Sequence, residues 1–387
     1  METERYDYAV AGCGLSGAII AREMAEKGKK VLICERRSHI AGNTYDEMTQ
    51  EGILVQRYGP HTFHTNSEEI YNYLQRWAEF TSYRLTYLTI IKEKAVRCPF
   101  DFSVIRDLYD EQAANLLISE LRREFANEEK VPVFELLQSK DERIKAYANM
   151  LFEEDFRPYT AKQWGVPPEQ IDPSVIRRVP IILGEQKSYF NDQFEGQPRG
   201  GFTAMFQRIL DHPNITVQLE TDFLDKVTFD ETVGSILFDG KKDVKIIYTG
   251  PIDELFGYCF GMLPYRSLRF EYETLLTDSA QDAAIVAYPK AKGYTRITEY
   301  TKLPMQPKNK CTIIAKEYPA STDNRAKCEP YYPIQNEQNM LLVNRYFEKV
   351  KSYSNLFICG RLAQYRYYNM DEVVGEALKL ARVLAAE

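Results

Sequence analysis

Three glycines in "GCGLSG", Gly12, Gly14 and Gly17, stand at GxGxxG spacing between the apolar run "YDYAVA" and the helix-like run "AIIAREMAEKG". The first glycine permits a tight turn. The second lets a pyrophosphate approach the backbone, and the third permits close helix–strand packing. A helix that starts there offers free N–H groups and the positive end of its dipole to phosphate. Glu35 ends the next apolar run, "KVLICE", where a carboxylate accepts from ribose hydroxyls. This is dinucleotide chemistry on a β–α–β unit.

The far end of the chain narrows the cofactor. "NLFICG" reads as a strand ending in glycine, followed by the helix-like "DEVVGEALKLARVLAA". Such a pair completes FAD-type domains, and no second GxGxxG serves a separate nicotinamide domain. The reading favours FAD. Between that strand and helix, "GRLAQYRYYNMD" packs two arginines and three tyrosines into residues 360–371, a junction built to face a ligand.

Other residues carry alternatives. "YGPHTFHT" holds His61 and His64, two of only four histidines. The preceding Gly–Pro argues for a loop, and no third ligand completes a metal site. Local hydrogen bonding or a place beside the flavin remains. Arg178 and Arg296 suit either surface ion pairs or bidentate contacts to phosphate. Trp164, with Phe156 and Tyr159 upstream, suits either a core or an aromatic nucleotide pocket.

These residues need positioning elements. The chain of 387 residues supports two or three domains. Helical periods run from about residue 104 to 150, and "GVPPEQIDPSVIRRVP" over 165–180 holds four prolines, which predicts a loop long enough to act as a lid. Strand patterns return in "ITVQLETDF", "VKIIYTG", "YRSLRFEYETL", "YTRITEYTK" and "CTIIAKEYP", the last three as antiparallel neighbours. The expected fold is α/β: an FAD-binding Rossmann-type domain (1–80, 203–260, 335–387), an inserted helical domain (100–188) and an antiparallel β-sheet domain (81–99, 189–202, 261–334).

Composition sets limits. A net charge of −7 disfavours nucleic acid as a partner. No apolar run reaches membrane length, and the charged N-terminus is unlike a signal peptide. Seven scattered cysteines without CxxC read as reduced cytoplasmic thiols.

Together "VAGCGLSGA", "HIAGNTYD", "YGPHTFHT", "YTAKQWG", "IRRVP", "YFNDQF", "YRSLRFE", "YTRITE", "PYYPI" and "GRLAQYRYYNMDEVVGEAL" resemble the flavin-dependent UDP-galactopyranose mutase family over essentially the whole chain. The resemblance implies an isomerase that interconverts UDP-galactopyranose and UDP-galactofuranose by covalent catalysis through N5 of reduced FAD, without net redox change. It implies that Arg178, on a mobile loop, and Arg296 neutralise the diphosphate. By the same likeness Tyr159 stacks on uracil beside Phe156, Trp164 and Tyr189 line the nucleotide-sugar site, and Tyr332 and Tyr367 donate to phosphate. Gly12, Gly14, Leu15, Gly17, Glu35, Arg36, Asn43, His61, Thr62, Phe223, Arg361, Met370, Val373 and Gly375 are the implied cofactor contacts, with His61 against the isoalloxazine. An external reductant such as NAD(P)H is implied, and a homodimer is left open.

The chain departs from the family pattern at Asn369 for aspartate, Ala41 for glycine, Ala363–Gln364 for Gly–Thr, and Asp155 for an aromatic. The first of these keeps a mutase of another nucleotide sugar, such as UDP-N-acetylgalactosamine, as an alternative. An FAD amine oxidase is the more distant one.

Overall fold

The structure, a computed structural model, describes residues 5–165, 180–186, 188–307, 309–321 and 328–386. A parallel sheet of five strands runs in the order Ile215–Gln218, Val31–Cys34, Tyr8–Ala11, Lys245–Tyr248, Leu356–Ile358. Its central strands are apolar apart from Lys245 at the start of one, because both faces are covered. Alternation sends Val10, Val31, Ile33 and Ile247 into one core and Ala9, Leu32, Ile246 and Tyr248 into the other. Helices Leu15–Glu26, Phe202–Leu210 and Met370–Ala386 cover the first face, and helix Glu337–Lys351 covers the second. The helix after the glycine loop therefore packs on the last helix of the chain, which brings both ends of the sequence to one cleft.

The helical unit has its own core of Phe100, Phe102, Leu121, Tyr147, Leu151 and Phe156. Its helices start where aspartates accept backbone N–H groups. Asp101 caps Phe102–Leu108, Asp110 caps Glu111–Glu124, and Asp141 caps Glu142–Leu151. Phe152–Phe156 then forms a π-helical turn before helix Arg157–Trp164. Such a one-residue widening often marks a functional surface.

A second sheet has seven strands, ordered Tyr332–Pro333, Tyr265–Leu275, Thr312–Ser321, Arg296–Glu299, Ile285–Ala287, Tyr87–Ile91, Lys94–Arg97. The three strands expected as neighbours pair antiparallel, with Tyr265–Leu275 and Arg296–Glu299 flanking Thr312–Ser321. One pairing, Ile285–Ala287 on Tyr87–Ile91, is parallel, so the sheet is mixed. Its register sets Arg296 directly opposite Glu317. Among the described residues no helix is long and apolar enough to cross a membrane.

Candidate active site

Two cavities share a wall. The first is a cleft at the end of the parallel sheet, lined by Gly12, Gly14, Leu15, Glu35, Arg36, Asn43, His61, Phe223, Arg361, Met370 and Val373. Gly14 caps the first helix without any side-chain hydrogen bond, so the helix N–H groups open onto this cleft. A methyl built on Gly14 meets no protein atom within 4 Å, so the helix end faces open space on the cleft side. Glu35 is buried, with Oε2 accepting from the Cys13 N–H at 2.8 Å and Oε1 from the Arg37 N–H at 3.0 Å. These features fit a dinucleotide, its pyrophosphate at the helix end and its ribose near Glu35.

Gly17, Thr62 and Gly375 lie elsewhere. Gly17 packs helix on strand, since a Cβ there would stand 2.1 Å from the Gly12 carbonyl oxygen. Gly375 faces Ile70, at 3.4 Å from its own ideal Cβ. Thr62 lines the second cavity. Arg37 was not singled out from the sequence. It donates to Asn43 Oδ1 at 2.9 Å and pairs with Glu329 at 3.1 Å, bracing the cleft rim.

The second cavity, about 810 Å³, is lined by Phe156, Tyr159, Tyr189, Arg296, Tyr332 and Tyr367 among others. Six of the eight residues expected at a substrate site thus converge from the helical unit, the mixed sheet and the C-terminal junction. Arg178 and most of loop 165–180 lie outside the described residues, as does the Trp164 side chain. Arg266 also lines this cavity, with its guanidinium 5.0 Å from the Tyr332 ring centre. Its signal in the sequence was an arginine within the apolar alternation of "YRSLRFE". Asp192 lines it too, bound to His64 Nδ1, whose ring stacks on Phe190 at 3.7 Å.

Arg296 is held by one carboxylate. Its Nε donates to Glu317 Oε2 at 2.8 Å, and Nη2 lies 2.7 Å from the same oxygen. Burial alone would lower the guanidinium pKa, but the Glu317 charge outweighs it and raises it further above the ordinary value. Among the described residues Nη1 is left for a ligand oxygen. Burial raises the pKa values of Tyr87, Tyr159 and Tyr189, which keeps their hydroxyls protonated as donors.

The wall between the cavities is built from adjacent residues. Pro60 and Thr62 line the large cavity and His61 the cleft; Tyr331 lines the cleft and Tyr332 the cavity; Asn369 lines the cavity and Met370 the cleft. Arg361 belongs to the cleft, yet its guanidinium lies 4.9 Å from the Tyr332 ring centre and 5.3 Å from that of Tyr367. The stretch 360–371 is therefore the partition between two binding spaces.

His61 sits in that partition. Its Nδ1–H donates to the Gly59 carbonyl at 2.9 Å, which leaves Nε2 as the acceptor of a neutral ring. Its backbone is clamped by Gln56 and Gln197. Burial pushes the imidazole pKa down to about 4, with the fields of Arg361 and Arg296 adding to the effect. A depressed histidine contributes stability that is complete above the unfolded value of about 6.5 and declines as pH falls toward the folded value. Thermal unfolding should show a steeper loss between pH 6.5 and about 4 in the wild type than in His61→Asn. Equal slopes would show that the ring is not held neutral.

The chain is similar to known proteins over nearly its whole length. The family described as UDP-galactopyranose mutase matches residues 154–367, and an NAD(P)-binding Rossmann-like domain matches residues 10–77. A UDP-galactopyranose mutase of Mycoplasma pneumoniae is 34% identical, covering 98% of this chain and 96% of that protein. The chain belongs to the UDP-galactopyranose mutase family. Its members are isomerases. A dTDP-fucopyranose mutase of Escherichia coli is 33% identical over 97% of both chains. A solved structure of reduced UDP-galactopyranose mutase shares the fold with TM-score 0.70 at 18% identity, covering 99% of this chain and 96% of that one. A putrescine oxidase shares it less closely, with TM-score 0.59 at 11% identity over 99% of both chains.

Proposed function

We propose that the protein interconverts UDP-galactopyranose and UDP-galactofuranose with a reduced FAD in the cleft. The observation that carries this reading is the shared wall. A cavity with Arg296, Arg266, Tyr332 and Tyr367 abuts a dinucleotide cleft through Arg361 and His61. Reduced flavin, when bound, supplies an electron-rich N5 for covalent chemistry at the anomeric carbon.

The chain's own residues serve the leaving group. As the anomeric C–O bond breaks, negative charge grows on the diphosphate. Arg296 Nη1 and the hydroxyls of Tyr332 and Tyr367 stand ready to receive it. Their placement in advance of reaction lowers the barrier, because no solvent need reorganise. Arg178 completes the clamp from the loop. Tyr159 and Phe156 hold the base, Tyr189 lines the path of the nucleotide sugar, and neutral His61 presents Nε2 toward the cofactor.

A second reading, a mutase of another nucleotide sugar, is favoured by Asn369 in the cavity wall and by the dTDP-fucopyranose mutase relative. An amine oxidase is disfavoured, because the family that matches residues 154–367 is that of the mutases. Product analysis decides. UDP-galactofuranose incubated with dithionite-reduced protein should give UDP-galactopyranose, and oxidised protein should give none. Turnover of UDP-N-acetylgalactosamine or a dTDP-sugar in preference to both would install the second reading.

A further inference from the structure

Asp155 is a carboxylate set among aromatic rings at one end of the large cavity. It stands in the π-helical turn Phe152–Phe156, four residues before Tyr159, and both line the cavity with Phe156 between them. Its Oδ1 accepts from the Thr89 hydroxyl at 2.5 Å. Among the described residues its second oxygen has no hydrogen-bond partner. Lys162 is the cation whose field reaches it, but that ammonium already donates to the carbonyls of Tyr288, Ala291 and Tyr294. The bond to the buried Thr89 hydroxyl fixes the carboxylate in place, and its second oxygen is left at the cavity lining. It is suited to a ligand N–H.

The proposed function supplies one, and the inference rests on its placing of the base against Tyr159. Asp155 and Tyr159 stand four residues apart on one helix face, so a pyrimidine stacked on that ring can turn its polar edge to the carboxylate. Uracil and thymine carry an N3–H donor on that edge, and cytosine carries a lone pair. We propose that Asp155 accepts the N3–H of the stacked base, and so selects nucleotides with a uracil or thymine imide over cytosine. The pattern suits the dTDP-sugar relative as well as the UDP-sugar ones, since the two bases share that edge.

Burial pushes the Asp155 pKa up to about 6, while Thr89 and Lys162 pull it down. The groups facing it are Thr89, Lys162, Tyr159 and the Cys98 thiol, whose own pKa is raised well above its usual value by burial. The charged acceptor is therefore lost as pH falls through about 6, and the neutral carboxyl that replaces it accepts more weakly.

The test is equilibrium binding of UDP and CDP to the flavin-loaded protein at pH 8, by calorimetry. A hydrogen bond to a charged group predicts that the wild type prefers UDP by roughly 10- to 100-fold. Asp155→Leu, of similar shape, should reduce that preference to under about threefold. Asp155→Asn, whose amide can donate to a cytosine lone pair, should shift it toward CDP. With UDP-galactose, which has no titrating phosphate near neutrality, wild-type affinity should fall below pH 6 and that of Asp155→Leu should not. An unchanged UDP/CDP ratio in both variants overturns the role of Asp155 and leaves the proposed function standing. Absence of UDP binding by the wild type overturns the proposed function itself.

Discussion

Replacing Arg296 with alanine lowers turnover by on the order of 100-fold or more, with flavin content unchanged. Removing one preorganised donor to developing negative charge typically raises a barrier by about 3–4 kcal/mol. The flavin content is the control, since Arg296 lines the large cavity and not the cleft proposed for the cofactor. The variant also strands Glu317, which is 2% exposed and holds Arg296 through a single oxygen. Breaking such a pair from one side costs about 3–5 kcal/mol. Arg296→Lys therefore accompanies it. Lysine keeps a charge beside Glu317 but lacks the planar fork, and should fold while losing at least about tenfold in turnover. Steady-state rates with reduced enzyme, normalised to flavin absorbance, read both variants. Wild-type rates in Arg296→Ala would remove the residue from the clamp. Arg178→Ala should lower turnover to a similar degree.

Two glycine variants separate cofactor space from packing space. Gly14→Ala places a methyl where no protein atom lies within 4 Å, and its φ of −82° is ordinary for alanine. The apo-protein should unfold within about 1 kcal/mol of wild type, because loss of a glycine cap costs only that much. Flavin affinity should nevertheless fall at least about tenfold, because the methyl occupies the approach to the pyrophosphate. Gly17→Ala does the reverse. Its methyl would lie 2.1 Å from the Gly12 carbonyl oxygen and 3.1 Å from Val10 Cγ1, so the glycine loop must move. Overpacking against backbone costs about 1–3 kcal/mol or more, and apo-stability should drop with flavin binding. Flavin titration and thermal unfolding of the two proteins check this. Normal flavin binding by Gly14→Ala would mean that the cofactor does not approach that backbone.

Arg266 and Arg37 show what was hard to see in one dimension. Each is an ordinary arginine in its segment, and each matters through partners far along the chain, Tyr332 for Arg266 and Glu329 for Arg37. Glu317 attracted no notice either. It became the anchor of Arg296 only when two strands paired in one register. Asp155 was visible as a departure from the family pattern, but nothing local announced that a π-helical turn would aim it into a cavity. Ala41 is similar. It replaces a common glycine, and the backbone there has φ 74°, the left-handed region that glycine enters most easily.

The sequence by itself determined the glycine loop with its strand, helix and acid, because these act within a few dozen residues and depend on backbone conformation that residue type controls directly. It also determined the family, through motifs spread over the whole chain. Only the tertiary structure decided which charges and rings look into the same space. It split residues 60–62, 331–332 and 369–370 between two cavities, and it made Arg361 and His61 the partition. The reason is physical. A side chain's direction at such a wall follows from how three packed units meet, and that meeting is set by long-range burial and strand register, which no short stretch of chain contains.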